Sequence, residues 1–370
     1  MNGFENIVIF SESNKGESRI NISGVEVHLI KSINWKSRIS ALFNKELYQE
    51  LTHLNQQVKF NLSIIRTAWY SLSKALSITE QLKAISEKEN TVFYSYWLDE
   101  KSLALALLKK KYSNLKAISR AHGWDVYEER HPNNYLPYRK LLAENLEAIY
   151  TISENGKSYL SDRYPKWKEK IQISRLGTLP LLYVPEKSTD DSFHVLSISS
   201  IIPLKRVDKI LELVSSIPSK KIKWRHIGTG SEFEKLKELA IQKSQQNPNF
   251  SFELKGQMSN TEVRELLTFH YFDLFINLSE TEGIPVSIME AQSAGIPVVA
   301  TNVGGTSEIV NEENGFLVDK NLKNIDLNEI LNKITTNIEL RQMAFESWKK
   351  RYNAEINFQL FVDKIKLNYG

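Results

Sequence analysis

Two carboxylates that flank the start of a helix have the types and spacing best suited to chemistry in this chain. Glu282 and Glu290 lie eight positions apart, with Gly283 and Pro285 between them. An ionised carboxylate only accepts hydrogen bonds, whereas a vicinal diol donates two, so the pair suits a ligand rich in hydroxyl groups. The unpaired N–H groups of a helix start add a place for phosphate. A nucleotide joined to a sugar satisfies both requirements. The alternative is that both glutamates are ordinary solvated acids near a helix start.

Two cations and two glycines follow neighbouring strands in the same half of the chain. Lys205 and Arg206 come after a strand and a short loop, where a helix begins. Cations there oppose the helix dipole, so a pyrophosphate that neutralises them is a better explanation than solvated charge alone. Gly228 and Gly230 follow the next strand. They indicate either a tight strand-to-helix turn or a close approach of the backbone to a nucleotide.

A histidine at the end of a strand is the main candidate in the first half of the chain. His122 follows strand 115–119 and precedes a glycine, and Asp125 lies near enough to orient it. The carboxyl end of a parallel strand faces the ligand in this kind of architecture, although a lone histidine is more often structural. The sequence therefore leaves both interpretations of His122 open.

The elements that must position these residues alternate between strand and helix. Around the two glutamates the pattern predicts a strand at 272–278, a helix at 286–294 and a strand at 296–300. Similar alternation fills 91–174 and 193–318, which predicts an α/β fold with two Rossmann-like, doubly wound parallel sheets. Such sheets bind ligands at the carboxyl edges of their strands, which predicts a site in a central cleft that both domains face.

Composition excludes several classes of protein. The 370 residues are 41% hydrophobic and 25% charged, as expected for about two globular domains. The absence of cysteine rules out disulfides and thiolate metal sites. No histidine or acidic spacing typical of a metal site occurs outside Asp190 and Asp191, so no metal is expected. No apolar run approaches the ~20 residues of a membrane span, and the N-terminus lacks a signal peptide, which predicts a cytoplasmic protein.

The net charge is only +4, but basic residues cluster in the first half of the chain. These clusters indicate either solvated helix faces or a cationic face toward an anionic membrane or a pyrophosphate-bearing acceptor. Nucleic acid is not expected, because no nucleic-acid-binding motif occurs. The clusters comprise Lys109, Lys110, Lys111, Lys116 and Arg120; Arg139 and Lys140; and Lys166, Lys168, Lys170 and Arg175.

The segments around these positions resemble the retaining glycosyltransferases of family 4, which have the GT-B fold. The stretch from Glu282 to Glu290 is similar to the Glu-x7-Glu motif of that family. Further similar segments are SIIPLKRVDKILE, IGTGSEFEKL, RAHGWDVY and TISENGKSYL. The resemblance covers about residues 91–370 and is most specific over 195–320.

This resemblance implies a role for each candidate. Glu290 would bind the ribose hydroxyls and Glu282 the transferred sugar. The N–H groups of Gly283, Ile284 and Val286 would face the sugar and phosphate. Lys205, with Arg206, would neutralise the pyrophosphate, Gly228 and Gly230 would approach the nucleotide, and His122 would contact the sugar from the opposite wall. The catalytic set is then Glu282, His122 and Lys205, and the donor is a nucleotide-diphosphate sugar without a metal or other cofactor.

Two departures from the family pattern affect what the resemblance implies. The family usually has an arginine at the position of Ser200, five positions before Lys205, and Arg206, next to Lys205, is the candidate substitute. Members usually begin with a strand and a glycine-rich loop that borders the diphosphate. Here residues 4–10 (FENIVIF) resemble the second strand of that domain, so the first strand, loop and helix are expected to be missing.

The sequence thus predicts a retaining hexosyltransferase in surface polysaccharide or lipopolysaccharide assembly. Its acceptor would be a glycan or a lipid-linked glycan, with peripheral contact to the inner face of an anionic membrane. The expected domains are an acceptor-side domain at 1–181, completed by helix 353–370 packing back on it, and a nucleotide-sugar domain at 182–352. The alternative is a non-catalytic GT-B-shaped partner of another glycosyltransferase. A nucleotide-sugar epimerase is a further alternative, which the Glu-x7-Glu pattern disfavours.

Overall fold

The chain folds into two compact units, one of which is discontinuous in sequence. Unit 1 comprises Met1–Ser174 and Gln359–Gly370, and unit 2 comprises Arg175–Phe358. The structure is a computed structural model. It describes residues 4–12, 24–31, 33–54, 60–86, 90–323 and 325–369.

Unit 1 is built on a parallel sheet of four strands, in the order β3-β4-β5-β6. A separate parallel pair, β1 with β2, precedes it. The strands are β1 Ile7–Ser11, β2 Val25–Leu29, β3 Val92–Ser95, β4 Lys116–Ala121, β5 Ala148–Thr151 and β6 Ile171–Ile173. The helices are α1 Trp35–Leu42, α2 Lys45–Thr52, α3 Leu62–Ser86, α4 Glu100–Lys111, α5 Arg139–Asn145 and α6 Glu154–Arg163.

Local sequence explains several of these elements. The β5 strand is buried along its whole length, as expected for a parallel strand covered on both faces. Ser153 caps α6 as its sequence suggests, because its hydroxyl accepts the N–H of Gly156 at 2.9 Å. The last helix, α13 Ala354–Tyr369, places Phe361 against the rings of Tyr94 and Tyr150 in unit 1.

Unit 2 contains a parallel sheet of six strands whose order reverses in the middle. From edge to edge the order is β9-β8-β7-β10-β11-β12. With β7 as the first strand this is the 3-2-1-4-5-6 order of the Rossmann fold. The strands are β7 Ser192–Ile198, β8 Lys221–Ile227, β9 Phe250–Leu254, β10 Leu274–Asn277, β11 Val298–Thr301 and β12 Gly315–Val318. β12 is an edge strand of this sheet.

Helices cover both faces of this sheet. Buried apolar residues of α7 and α11 pack in one core cluster and those of α9 and α10 in another. The helices are α7 Val207–Ser215, α8 Phe233–Gln246, α9 Asn260–Phe269, α10 Val286–Ser293, α11 Leu327–Thr336 and α12 Glu339–Arg351. A single 3₁₀ turn lies at Thr306–Glu308. Among the described residues, no helix combines the length and apolarity that crossing a bilayer requires.

Candidate functional site

The site in unit 2 lies where the strand order reverses. β7 pairs with β8 on one side and β10 on the other, so the connections after β7 and β10 lead away in opposite directions. In open parallel sheets this switch point leaves a crevice at the carboxyl edge, where ligands bind. The two loops that leave it are 199–206, which contains Lys205, and 278–285, which contains Glu282. The topology therefore brings these two candidates together.

The 278–285 loop is held by its neighbours on both sides. The N–H of Glu280 donates to the Leu204 carbonyl at 2.9 Å, which ties the loop to the one after β7. The Thr301 hydroxyl donates to the Ser279 carbonyl at 2.5 Å, and the N–H of Gly305 donates to the Gly283 carbonyl at 2.8 Å. These bonds position the start of α10 without using its side chains, so the site is largely preformed.

The start of α10 presents backbone donors without protein acceptors. Within the described part of the chain, no acceptor takes the N–H groups of Gly283, Ile284 or Val286. The N-cap position is Pro285, which supplies no side-chain acceptor either. These donors and the positive end of the helix dipole together form an anion-binding geometry.

Lys205 and Glu282 form an ion pair across the switch point. The Lys205 ammonium donates to Glu282 Oε1 at 2.6 Å, and the Asn277 amide is 3.4 Å from the same oxygen. Both side chains are mostly buried, with 23% and 11% of their surfaces exposed. The pair keeps one positive and one negative group ready beside the helix start.

Glu290 has no comparable partner. No hydrogen bond or ion pair to its carboxylate occurs among the described residues, although the side chain is partly buried on α10. Burial therefore raises the pKa of Glu290 to about 7. A buried carboxyl group without a partner destabilises the folded protein, which makes it a functional-site candidate on physical grounds.

Arg206 is used differently from Lys205. Its backbone adopts a left-handed conformation, with φ of 49°. Its Nε and Nη2 donate to Glu280 Oε1 at 3.0 and 2.9 Å, and its Nη1 donates to the Lys320 carbonyl at 2.6 Å. These bonds engage the guanidinium with Glu280 and the Lys320 carbonyl. The predicted contact of Arg206 with a nucleotide stays a prediction.

Gly228 and Gly230 allow two loops to approach each other closely. A Cβ at Gly228, where φ is 140°, would lie 1.9 Å from the Ser199 carbonyl oxygen. A Cβ at Gly230 would lie 2.3 Å from the Ile201 carbonyl oxygen. The close approach inferred from sequence is thus to the loop after β7. Contact with a nucleotide remains a prediction for both glycines.

His226 supports the loop after β7, and the sequence pattern did not indicate a functional role for it. Its imidazole lies 2.8 Å from Ser197 Oγ and 3.1 Å from the Ser199 carbonyl oxygen. Burial lowers the pKa of His226 to about 4, so the ring is neutral near pH 7. The only sequence signal was a histidine inside a buried strand, which is not specific to a site. Its role is to position Ser199 beside Gly228.

In unit 1, His122 is buried between aromatic rings. Its ring lies 4.8 Å from that of Tyr96 and 4.2 Å from that of Trp97, between centroids. Neither imidazole nitrogen has a hydrogen-bond partner among the described residues, and Nδ1 is 3.7 Å from the Asp125 carboxylate. His122 therefore has unused hydrogen-bonding capacity. Its predicted contact with the donor sugar stays a prediction.

Asp125 holds two backbone segments beside His122. Its carboxylate accepts the N–H of His122 at 2.6 Å and that of Leu98 at 2.8 Å. Burial favours a higher pKa for Asp125, but the imidazole of His122, the Leu98 N–H and the charge of Arg139 hold it below the ordinary value. The carboxylate is therefore ionised near pH 7 and ties the ends of β3 and β4 together.

A cavity of about 660 Å³ opens next to this aspartate within unit 1. Its walls combine indole rings with acidic and basic groups, including Trp97, Asp99, Trp124, Asp125 and Arg139. Arg139 is almost fully buried, and its Nε has no hydrogen-bond partner among the described residues. Apolar ring faces combined with charged acceptors and donors suit a polyhydroxylated ligand.

Comparison with known proteins supports a glycosyltransferase. Residues 184–351 match the family glycosyl transferases group 1. The GtfA subunit of a UDP-N-acetylglucosamine–peptide N-acetylglucosaminyltransferase of Streptococcus parasanguinis is 27% identical over 195 residues. That alignment covers 51% of this chain but only 37% of the relative. An uncharacterized glycosyltransferase of Methanocaldococcus jannaschii is 27% identical over 72% of each chain. The O-antigen biosynthesis glycosyltransferase WbnH of Escherichia coli is 25% identical over 63% of this chain and 64% of its own.

Solved structures define the fold. The Anabaena protein HepE, in complex with UDP and glucose, has a TM-score of 0.64 at 16% identity and covers 98% of this chain and 100% of its own. The lipopolysaccharide outer core galactosyltransferase WaaB has a TM-score of 0.62 at 16% identity, over 91% of this chain and 84% of its own. The fold is GT-B. The sequence-based prediction of two Rossmann-like domains is therefore confirmed.

Gly305 was missed by sequence reasoning, although the pair of glycines after β11 could have indicated a tight approach. A Cβ at Gly305 would lie 2.4 Å from the Gly283 carbonyl oxygen and 2.9 Å from Ile284 Cγ1. We expect Gly305→Ala to displace the 278–285 loop, lowering the free energy of unfolding by about 1–3 kcal/mol and weakening ligand binding. Thermal denaturation and calorimetry with UDP would measure the two effects.

A matched control exists at Gly256. There φ is 69°, and a Cβ would meet nothing within 4 Å. Asparagine tolerates this left-handed conformation, so Gly256→Asn should change Tm and UDP affinity little. Equal effects from both variants would argue against the packing role of Gly305.

Proposed function

We propose that this chain is a retaining glycosyltransferase that moves a hexose-type sugar from a nucleotide-diphosphate sugar to a glycan or lipid-linked acceptor in surface polysaccharide assembly. The observation that carries this proposal is the switch point of unit 2. There, the backbone N–H groups at the start of α10 lie beside the Lys205–Glu282 pair. Glu290, on the same helix, is partly buried and has no partner among the described residues.

The donor assignment follows from what each group of unit 2 can bind. Lys205 would bind the diphosphate as a cationic donor. The N–H groups of Gly283 and Ile284 would bind it as dipolar donors at the helix start. Glu290, once ionised, would accept two hydrogen bonds from the ribose diol. Glu282 would accept from hydroxyls of the transferred sugar. UDP is the first nucleotide to test, because the structurally similar HepE binds UDP and glucose.

The proposed reaction exchanges one glycosidic bond for another on the same face of the sugar. The bond between the anomeric carbon and the diphosphate oxygen breaks, and a bond to the acceptor hydroxyl oxygen forms. The acceptor proton passes to the departing diphosphate. Lys205 and the helix start stabilise the charge that develops on the leaving group, so the step needs no carboxylate nucleophile and no metal.

The acceptor is proposed to bind in the cavity of unit 1. Trp97 and Trp124 offer ring faces to the C–H faces of a sugar, and Asp99 and Asp125 offer carboxylates near its hydroxyls. His122, whose ring nitrogens lack partners among the described residues, is the proposed contact to the transferred sugar. The acceptor would then be a glycan end, free or attached to a lipid carrier.

A non-catalytic partner subunit is the second candidate function. It is favoured by Ser200, since the arginine usual in the family is absent and Arg206 is engaged with Glu280 and Lys320. A partner subunit would keep the fold but have a diphosphate site that is too weak for turnover. The two candidates therefore differ in donor binding and hydrolysis.

Isothermal titration with UDP-, GDP- and ADP-sugars in EDTA tests both candidates. The enzyme proposal expects saturable binding of one donor, slow hydrolysis without acceptor, and a released sugar whose first-formed anomer, observed by NMR, matches the donor. Absence of binding to every donor would contradict it and support the partner role. Inversion at the anomeric carbon would contradict the retaining mechanism alone.

A further inference from the structure

Helix α1 exposes its bulky apolar residues and buries its small ones. Trp35, Ile39, Leu42 and Phe43, the last directly after the helix, are 68%, 48%, 45% and 82% exposed. The residues that α1 buries are Ser37 and Ala41. A helix on the surface of a soluble domain ordinarily has the opposite arrangement, with its large apolar face toward the core.

Helical geometry places the four apolar side chains on one stripe. At about 100° per residue, positions 35, 39, 42 and 43 span roughly 100° of the circumference. Positions 37 and 41 lie nearly opposite the middle of that stripe. The small face packs on α3, where the Trp69 indole N–H donates to the Arg38 carbonyl at 3.0 Å. Because α1 packs on α3 through its small residues, its four bulky apolar side chains face the solvent.

The charged residues of α1 itself, Lys36 and Arg38, are both cationic. Residues 31–45 contain Lys31, Lys36, Arg38 and Lys45 and no aspartate or glutamate. By the same helical geometry, Lys36 lies on one side of the stripe and Arg38 on the other. Long cationic side chains at such positions can bury their methylene stems while their charged ends reach phosphate groups.

Several members of the basic clusters that the sequence suggested for membrane contact are used within unit 1. Lys109 pairs with Glu147 at 2.5 Å, and Lys110 pairs with Glu46 at 2.7 Å. Arg120 is fully buried and donates to Ser174. Lys170 donates to two carbonyl oxygens at 2.6 and 2.9 Å. On α1, by contrast, bulky apolar side chains and the cations Lys36 and Arg38 are all exposed.

We propose that α1 and Phe43 form a docking surface for an anionic lipid bilayer, lying in the plane of the interface. Trp35, Ile39, Leu42 and Phe43 would enter the boundary between headgroups and acyl chains, while Lys36 and Arg38 contact lipid phosphates. The combination of an outward apolar stripe with flanking cations favours an anionic lipid surface over a protein partner. The proposal is independent of donor chemistry and holds whether or not the chain transfers sugar.

Sedimentation of the full chain with sucrose-loaded vesicles tests this surface. Binding is expected to vesicles of phosphatidylglycerol and phosphatidylcholine, to decrease at high salt, and to be weak with phosphatidylcholine alone. The Trp35→Ser, Phe43→Ser double variant should lose about tenfold or more in vesicle affinity, because two large insertions disappear. Lys36→Glu with Arg38→Glu should abolish the preference for anionic lipid.

Leu182→Ser and Ile338→Ser provide matched controls, since both side chains are more than four-fifths exposed in unit 2. They should bind vesicles like the wild type. Circular dichroism and Tm must show that all variants fold. If the double variant sediments like the wild type, or if the wild type does not bind anionic vesicles, the proposal is wrong. Dimers on size exclusion that Trp35→Ser disrupts, without vesicle binding, would instead assign the stripe to a second copy.

Discussion

Glu290→Gln is expected to stabilise the protein above neutral pH and to weaken its binding of a nucleotide sugar. Burial raises the pKa of Glu290 from 4.5 to about 7, and no described residue compensates its charge. Glutamine removes the buried charge but keeps the size of the side chain. It also removes the negative charge and replaces one of the two acceptor oxygens that a ribose diol would use by an amide donor, so donor affinity should fall roughly 10- to 100-fold.

The pH dependence of this effect has a definite sign. Between about pH 4.5 and 7 the folded protein retains a proton on Glu290 that the unfolded chain has released. The free energy of unfolding therefore decreases as pH rises through this window and stays lower above it. The gain in Tm from Glu290→Gln should be large at about pH 8 and small at about pH 4.5. The corresponding gain in the free energy of unfolding has an upper limit of about 3 kcal/mol. Donor affinity of the wild type should weaken as pH falls below about 7.

Differential scanning fluorimetry at both pH values, paired with calorimetric titration of the donor, measures the two effects. Glu313→Gln is a suitable control because Glu313 is an exposed acid in the same unit. It should change neither quantity. A Glu290→Gln protein that is less stable at high pH, or that binds donor as tightly as the wild type, would refute the assigned role.

Lys205→Ala is expected to lower kcat by about 10²- to 10³-fold, as for loss of one preorganised group that stabilises a developing anion. Lys205 is the cation of the ion pair at the switch point, 2.6 Å from Glu282. Its removal should also reduce Tm, because it deprives the largely buried Glu282 carboxylate of its cationic partner. Kinetics with a saturating donor and thermal denaturation would measure both effects.

Two further variants separate the structural and chemical roles of Lys205. Lys205→Ala combined with Glu282→Gln should recover Tm, since neither charge remains, but should stay inactive. Lys209→Ala removes an exposed lysine that pairs with Glu212 on α7, and should change activity by less than a few fold. Recovery of turnover together with Tm in the double variant would show that the pair is purely structural.

Much of the fold follows from local patterns in the sequence. The strand at β12, the helix at α10 and the Ser153 cap were all predictable, because burial periodicity and capping residues act within a few positions. The spacing of Glu282 and Glu290 likewise indicated the candidate site. The α/β alternation predicted parallel sheets, and the solved structures place them in the GT-B fold.

Contacts between distant segments were decided only by tertiary structure. Lys205 and Arg206 are neighbours in sequence, but Lys205 meets Glu282 while the left-handed backbone of Arg206 directs its guanidinium to Glu280 and Lys320. Gly228 and Gly230 turned out to accommodate a neighbouring loop, and α1 turned its apolar stripe away from the core.

The sequence by itself determined which groups this protein could use: two glutamates around a helix start, a lysine after a strand, and glycines where loops turn tightly. Tertiary structure decided the partners, burial and charge state of these groups. It paired Glu282 with Lys205, buried Glu290 without a partner, and thereby raised the pKa of Glu290 to about 7. The physical reason is that charge state depends on desolvation and on partners, and both are set by residues far apart in the chain.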